Sequence, residues 1–160
     1  MSNLEDVQEG CPTCTNYIKS MNPRYRGMYN RTRERYQLDT EAVEKLKEYA
    51  DAYTLVVLFA DWCGDARKAV PVLSLLEDEI GLEIKALGGM EKPKRRSDKH
   101  WAVPPSPEEV EILDITSSPT IIIFDERGEE VDRIRTRPRI TPTIEEEILT
   151  IIERDRGLNK

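Results

Sequence analysis

Residues 54–60, TLVVLFA, form a nearly continuous apolar run. Its length and β-branched content predict a strand buried on both faces, as in a parallel sheet. The period then changes. Over 64–80, Ala69, Val70, Val72, Leu73, Leu76 and Ile80 recur at helical spacing and make a wide apolar stripe. Pro71 falls inside that stripe, removes a helical hydrogen bond and predicts a kink. Upstream, Val43, Leu46 and Ala50 share one face of a helix expected over 40–51, with Asp39 or Thr40 as N-cap. Downstream, LEIKAL at 82–87 predicts a short strand, followed by a loop of about 18 residues. SPEEVEILD predicts a helix opened by Ser106 as N-cap, with Pro107 at N1 and Glu109 closing a capping box. TIIIF at 120–124 predicts another buried strand and DERG at 125–128 a turn. EVDRIRT at 130–136 alternates as a half-exposed antiparallel strand does. A last helix is expected over 142–156, with Thr141 as N-cap, Pro142 at N1 and Ile144, Ile148, Ile151 and Ile152 facing inward. Residues 1–37 show no clear period. Gly10, Pro12, Pro23 and Gly27 act as breakers there, and only a helix around 13–21 is predicted.

The order α-β-α-β-α-β-β-α describes an α/β protein. A right-handed crossover makes strands 54–60 and 82–87 parallel, and the hairpin adds an antiparallel pair. The expected architecture is a central mixed sheet of four strands, five at most, flanked by helices on both faces. Residues 38–160 form the expected core domain. Residues 1–37 form an N-terminal extension that packs on it and carries CPTC at 11–14.

Composition narrows the class of protein. The chain has 160 residues, enough for one domain with a stable core. The net charge of −7 argues against a general nucleic-acid binder. Two islands run against it. Residues 22–36 carry five Arg against one Glu, and residues 92–100 carry five Lys or Arg against one Asp. Tyr25, Tyr29 and Tyr36 interleave with Arg24, Arg26, Arg31, Arg33 and Arg35, a pattern compatible with base stacking. The acidic remainder opposes that reading and favours docking of this segment on the rest of the chain. The longest apolar run is far too short to span a bilayer, and the acidic N-terminus lacks a signal-peptide core. The expected compartment is the reducing cytoplasm. Three cysteines there point to catalysis, metal binding or inertness before structural disulfides.

The chemistry centres on ADWCGDARKAVP at 60–71. Cys63 stands where a strand gives way to a helix. Unpaired N–H groups and the positive end of the helix dipole favour its thiolate, the nucleophile of disulfide exchange. Arg67 and Lys68 in the first turn assist; Asp65 opposes. Trp62-Cys63-Gly64 after an apolar strand, Pro71 eight residues on, SSPT at 117–120 before a buried strand, and the closing hairpin and helix together resemble the thioredoxin-like superfamily over about residues 40–155. The resemblance implies a thioredoxin-like fold, a cis-Pro119 facing Cys63, and Trp62, Gly64, Asp65, Ser118 and Pro119 as substrate contacts. Trp62 would shield the cysteine, while Trp101 is expected to anchor its loop.

The departures define the variant. Ala66 stands where the family's second thiol resolves the mixed disulfide, Val57 where thioredoxins keep a buried aspartate, and Asp65 where they place a proline. The N-terminal pair leaves three readings open. Cys11 or Cys14 acts as a displaced redox partner. Alternatively the pair is half of a zinc site, completed by Cys63 and His100 or by a second CPTC in a dimer. The third reading is inert thiols. The working expectation is a monothiol oxidoreductase of cell redox homeostasis, with Cys63 attacking and Cys11, Cys14 or an external thiol resolving. No metal or cofactor is expected, and the expected partners are protein thiols or disulfides and a thiol reductant. The rivals are a non-catalytic protein-binding module of the same fold and a small zinc-binding protein.

Overall fold

A computed structural model describes residues 2–92 and 101–158 of the chain. The helices are α1 (Cys14–Ser20), α2 (Pro23–Arg35), α3 (Thr40–Lys47), α4 (Gly64–Ile80), α5 (Glu109–Ile112) and α6 (Ile144–Asp155). The strands are β1 (Thr54–Leu58), β2 (Glu83–Leu87), β3 (Thr120–Phe124) and β4 (Glu130–Arg135). Together they make one four-stranded sheet in the order β2-β1-β3-β4. β1 runs parallel to β2 and antiparallel to β3, and β3–β4 is the hairpin. The mixed sheet expected from the hydropathy pattern is therefore present with four strands.

The strand period of two sorts the interior into two cores. Leu55, Val57 and Phe59, with Ile121 and Ile123, face a large core shared with α1, α2, α3, α4 and α6. Val56, Leu58 and Ala60, with Ile122 and Phe124, face a smaller core closed by Val7, Met90, Trp101, Val110 and Leu113. β1 is buried on both sides, which is why its sequence is an uninterrupted apolar run. α4 spans the predicted length, carries Pro71 inside it, and ends at Gly81, whose φ of 66° suits the left-handed cap position.

Local signals misplace some boundaries. The 40–51 helix stops at Lys47 and gives way to a single 3-10 turn at Ala50–Ala52. The Ser106 capping box does not form. Ser106 Oγ instead accepts a hydrogen bond from Glu91 N at 2.8 Å, and Glu109 accepts one from Gln8 N at 2.9 Å. α5 starts later, without a side-chain cap. α6 is capped by Thr143, while Thr141 Oγ1 donates to Thr143 O at 2.8 Å. The largest omission is α2, a 13-residue helix in the stretch read as irregular. Pro23 sits at its first turn, where the missing N–H is harmless, and Asn22 caps it. Tyr29 is its one fully buried side chain, so no apolar stripe announces it.

The N-terminal segment is sewn to the rest of the chain. Leu4 N donates to Gly128 O at 2.7 Å, and Ala86 N in β2 donates to Pro12 O at 2.9 Å. Val7 lies in the smaller core. Cys14, Ile18, Met21 and Tyr29 lie in the larger one. At the other end, buried Glu145 of α6 accepts from Tyr36 Oη at 2.8 Å and from Asp39 N at 2.9 Å. Among the described residues, no helix is long and apolar enough to cross a membrane.

Candidate active site

Cys63 is the N-cap residue of α4, with extended backbone and no side-chain cap bond. The turn into it is closed by Cys63 N donating to Ala60 O at 3.0 Å. Its half-buried thiol donates to Ser118 O at 3.3 Å. Ser118 is fixed in turn, because its buried Oγ accepts from Ala60 N at 2.9 Å. The Ser118–Pro119 peptide is cis, and Pro119 O accepts from Thr136 N at 2.7 Å. Residues 55 positions apart in sequence thus meet at the sulfur.

The flanking residues divide. Trp62 stacks on Trp101 with ring centres 5.8 Å apart, and its Nε1 donates to Glu91 at 3.3 Å. Lys92 Nζ lies over both rings, 5.8 and 5.0 Å from their centres. Trp101 is buried in the smaller core. Gly64 is exposed, with open space where a Cβ would stand. Asp65 pairs with Arg137 at 3.6 Å. Arg67 donates from Nη2 to Trp62 O at 3.2 Å, while its buried Nε has no partner. Ala66 and Val57 are both fully buried, so apolar groups occupy the positions of the family's second thiol and its aspartate.

The N-terminal cysteines lie elsewhere. Cys14 is fully buried, and burial, with the charge of Glu77 adding to it, pushes its thiol well up. Its backbone N donates to the Glu77 carboxylate at 2.7 Å. Thr15 adds bonds of 2.8 Å from N and 2.7 Å from Oγ1 to the same group. Glu77 is near the C-terminal end of α4 and Cys63 caps its start, so the two ends are separated by about 20 Å of helix. Cys11 donates its thiol to Gln8 O at 3.3 Å. Its pKa is raised chiefly by burial, with Lys85 opposing and Glu109 adding. Cys11 packs on the smaller core and Cys14 in the larger, so CPTC wraps the β2 edge with its two thiols toward opposite faces of the sheet. All three cysteines are free. The fold holds Cys14 against Glu77 near the far end of α4 and Cys11 beside Gln8. The three thiols do not converge as a metal set. His100, named with them, lies outside the described residues, as does most of the second basic island.

Sequence reading missed Asp61. Its Oδ1 accepts from Tyr17 Oη at 2.7 Å and from Gly89 N at 3.2 Å, and its carbonyl accepts from Tyr29 Oη at 2.9 Å. An aspartate beside the cysteine motif was the only available signal, and nothing in the sequence pairs it with two tyrosines.

A mixed sheet that presents one half-buried thiol at a helix N-terminus, against the peptide preceding a cis proline, defines a thioredoxin-like protein. A family model described as Thioredoxin matches residues 11–104. A thioredoxin of Chlamydia caviae is 35% identical over 85 residues, 53% of this chain and 70% of that protein. The chain belongs to the thioredoxin family. A protein of unknown function from Pseudomonas aeruginosa has a similar crystal structure, with a TM-score of 0.73 and 16% identity, covering 97% of this chain and 99% of that one. An HIV epitope-scaffold is similar at a TM-score of 0.69 and 16% identity, covering 95% of this chain and 98% of the scaffold. Both likenesses concern the fold.

Proposed function

We propose that this protein performs thiol–disulfide exchange on protein substrates through one thiol, that of Cys63, with an external thiol completing the cycle in the reducing cytoplasm. The observation that carries the reading is the half-buried Cys63 thiol at the start of α4, 3.3 Å from Ser118 O, with buried Ala66 in place of a resolving thiol. Cys63 loses its proton to solvent. Its thiolate attacks one sulfur of a substrate disulfide, and the substrate S–S bond breaks. One half remains joined to Cys63 as a mixed disulfide, and the other leaves as a thiolate and takes up a proton. An external thiolate then attacks the substrate sulfur and releases Cys63 as thiolate, with the substrate now joined to the external thiol. A second external thiol reduces that product, so two electrons pass from two external thiols to one substrate disulfide. Trp62, Gly64 and Asp65 flank Cys63 in sequence, Ser118 O meets its sulfur, and these residues with Pro119 would contact the substrate chain.

The burial of Cys14 against Glu77, near the far end of α4, favours the external thiol over Cys14 as resolving group. The test is turnover of a peptide disulfide with a small thiol as reductant. Cys63→Ser abolishes catalysed turnover, and Cys11→Ser/Cys14→Ser keeps it within about twofold, since neither thiol enters the cycle. Turnover persisting in Cys63→Ser overturns the reading.

A further inference from the structure

The loop that delivers Cys63 is gripped by two N-terminal helices, α1 and α2. Tyr17 on α1 and Tyr29 on α2 both donate phenol protons to Asp61, one to its carboxylate at 2.7 Å and one to its carbonyl at 2.9 Å. Their rings flank Phe59, at 5.0 and 6.4 Å between centres. Gly89 N adds a third bond to the same carboxylate at 3.2 Å. Gly88 has no room for a side chain, because a Cβ there would run into the Tyr17 phenol. We propose that Tyr17 and Tyr29 are positioning residues for Cys63, acting through Asp61 to fix the turn from Ala60 to Cys63; the proposal rests on the exchange chemistry assigned to that thiol.

The physical argument has two parts. The other bonds on the turn fall on its neighbours: Cys63 N to Ala60 O, Ala60 N to Ser118 Oγ, Arg67 Nη2 to Trp62 O and Trp62 Nε1 to Glu91; Asp61 itself is held by the two phenols and Gly89 N. Removing both phenols leaves the Asp61 carboxylate with one donor and strips its carbonyl of the partner it has here, so the turn relaxes toward solvent. The sulfur then shifts against both Ser118 O and the N–H groups of α4. Secondly, both phenols stay protonated donors while a thiol titrates. Burial pushes Tyr17 up, with Asp61 adding to it, and pushes Tyr29 up, with Asp61 and Cys63 adding and Arg67 opposing. The ionisable groups placed around the sulfur are Tyr29 of α2, Asp61 of the turn, and Asp65, Arg67 and Lys68 of the first turn of α4. Arg137 joins them through its ion pair with Asp65.

The experiment measures the rate of Cys63 alkylation against pH, read by peptide mapping, in wild type, Tyr17→Phe/Tyr29→Phe and Tyr53→Phe. Tyr53 loses a comparable phenol bond, 2.6 Å to Asp155 on α6, away from the Cys63 turn. The double variant shifts the midpoint of the profile or lowers its plateau, and exchange with a peptide disulfide falls about fivefold or more, as expected for loss of two net hydrogen bonds. Tyr53→Phe leaves the profile unchanged. A double-variant profile that superimposes on wild type, or an equal change in Tyr53→Phe, overturns the positioning role. Wild-type protein that alkylates but never exchanges would instead overturn the assigned chemistry, and the alkylation profile would still decide the role of the tyrosines.

Discussion

At the residue scale, Cys14 and Cys63 both stand at the start of a helix, and their surroundings give them opposite chemistry. Cys14 is sealed in the larger core beside Glu77, which together push its thiol up; Cys63 is half-buried at the N-terminus of a long helix. Under native conditions iodoacetamide should therefore label Cys63 and leave Cys14 unmodified until the protein is denatured. Mass mapping checks this, and native labelling of Cys14 would contradict its burial. Gly88→Ala should destabilise the protein by about 1–3 kcal/mol, as overpacking against the Tyr17 ring does, with the thermal midpoint as readout. The Cys63 and Pro119 site was legible because its residues lie in short contiguous motifs. Asp61 was not, since its partners are 44 and 32 residues away and are ordinary tyrosines by sequence.

At the element scale, α2 shows where hydropathy falls silent. A helix that buries one tyrosine has no stripe, and its Pro and Gly read as punctuation. Gly27 nevertheless sits inside it with open space around its missing Cβ. Gly27→Ala should stabilise the protein by about 0.5–1 kcal/mol, through lower unfolded-state entropy at no steric cost. Chemical denaturation measures this, and a loss of stability would contradict the helix. Near the site, the segment after β4 is shaped by a group that sequence reading placed only on a helix. Buried Glu147 accepts from the backbone N–H of Arg139, Ile140 and Thr141 at 3.0, 2.7 and 3.0 Å. Asp39 caps α3 as its sequence suggests, but two other capping signals act elsewhere. Ser106 found Glu91 and Thr141 found Thr143 O, because tertiary partners outcompeted the local helix end.

At the scale of the whole molecule, a nearly buried ion pair on β4 ties down the N-terminal end of the chain at Ser2. Arg133 Nη2 lies 2.7 Å from Glu130, and the same guanidinium reaches Ser2 Oγ at 3.1 Å and, from Nη1, Leu113 O at 2.9 Å. Desolvation works against the Glu130 charge, but bonds from Arg133 and Ser2 win and hold its pKa below the usual carboxylate value. The sign follows. A depressed folded pKa stabilises the protein above the unfolded value of about 4.3, and that contribution is lost as pH falls through the folded one. Glu130→Gln should flatten the acid limb of the stability–pH curve; an unchanged limb would contradict the pairing. Glu130→Ala leaves Arg133 buried without its counter-charge and should cost about 3 kcal/mol at neutral pH. The parallel β1–β2 pair and the β3–β4 hairpin were readable from apolar runs of period two and 3.6; the β1–β3 pairing that joins them was not. The placement of residues 2–36 was not, because it depends on single contacts spread over both cores.

The most direct test of the central claim, that Cys63 exchanges without an intramolecular partner, is intact-mass analysis and peptide mapping of reduced protein quenched in acid after one equivalent of a peptide disulfide. The expected result is a single peptide adduct on Cys63 that persists until an external thiol is added. Loss of the adduct with formation of a Cys63–Cys11 or Cys63–Cys14 disulfide would contradict it.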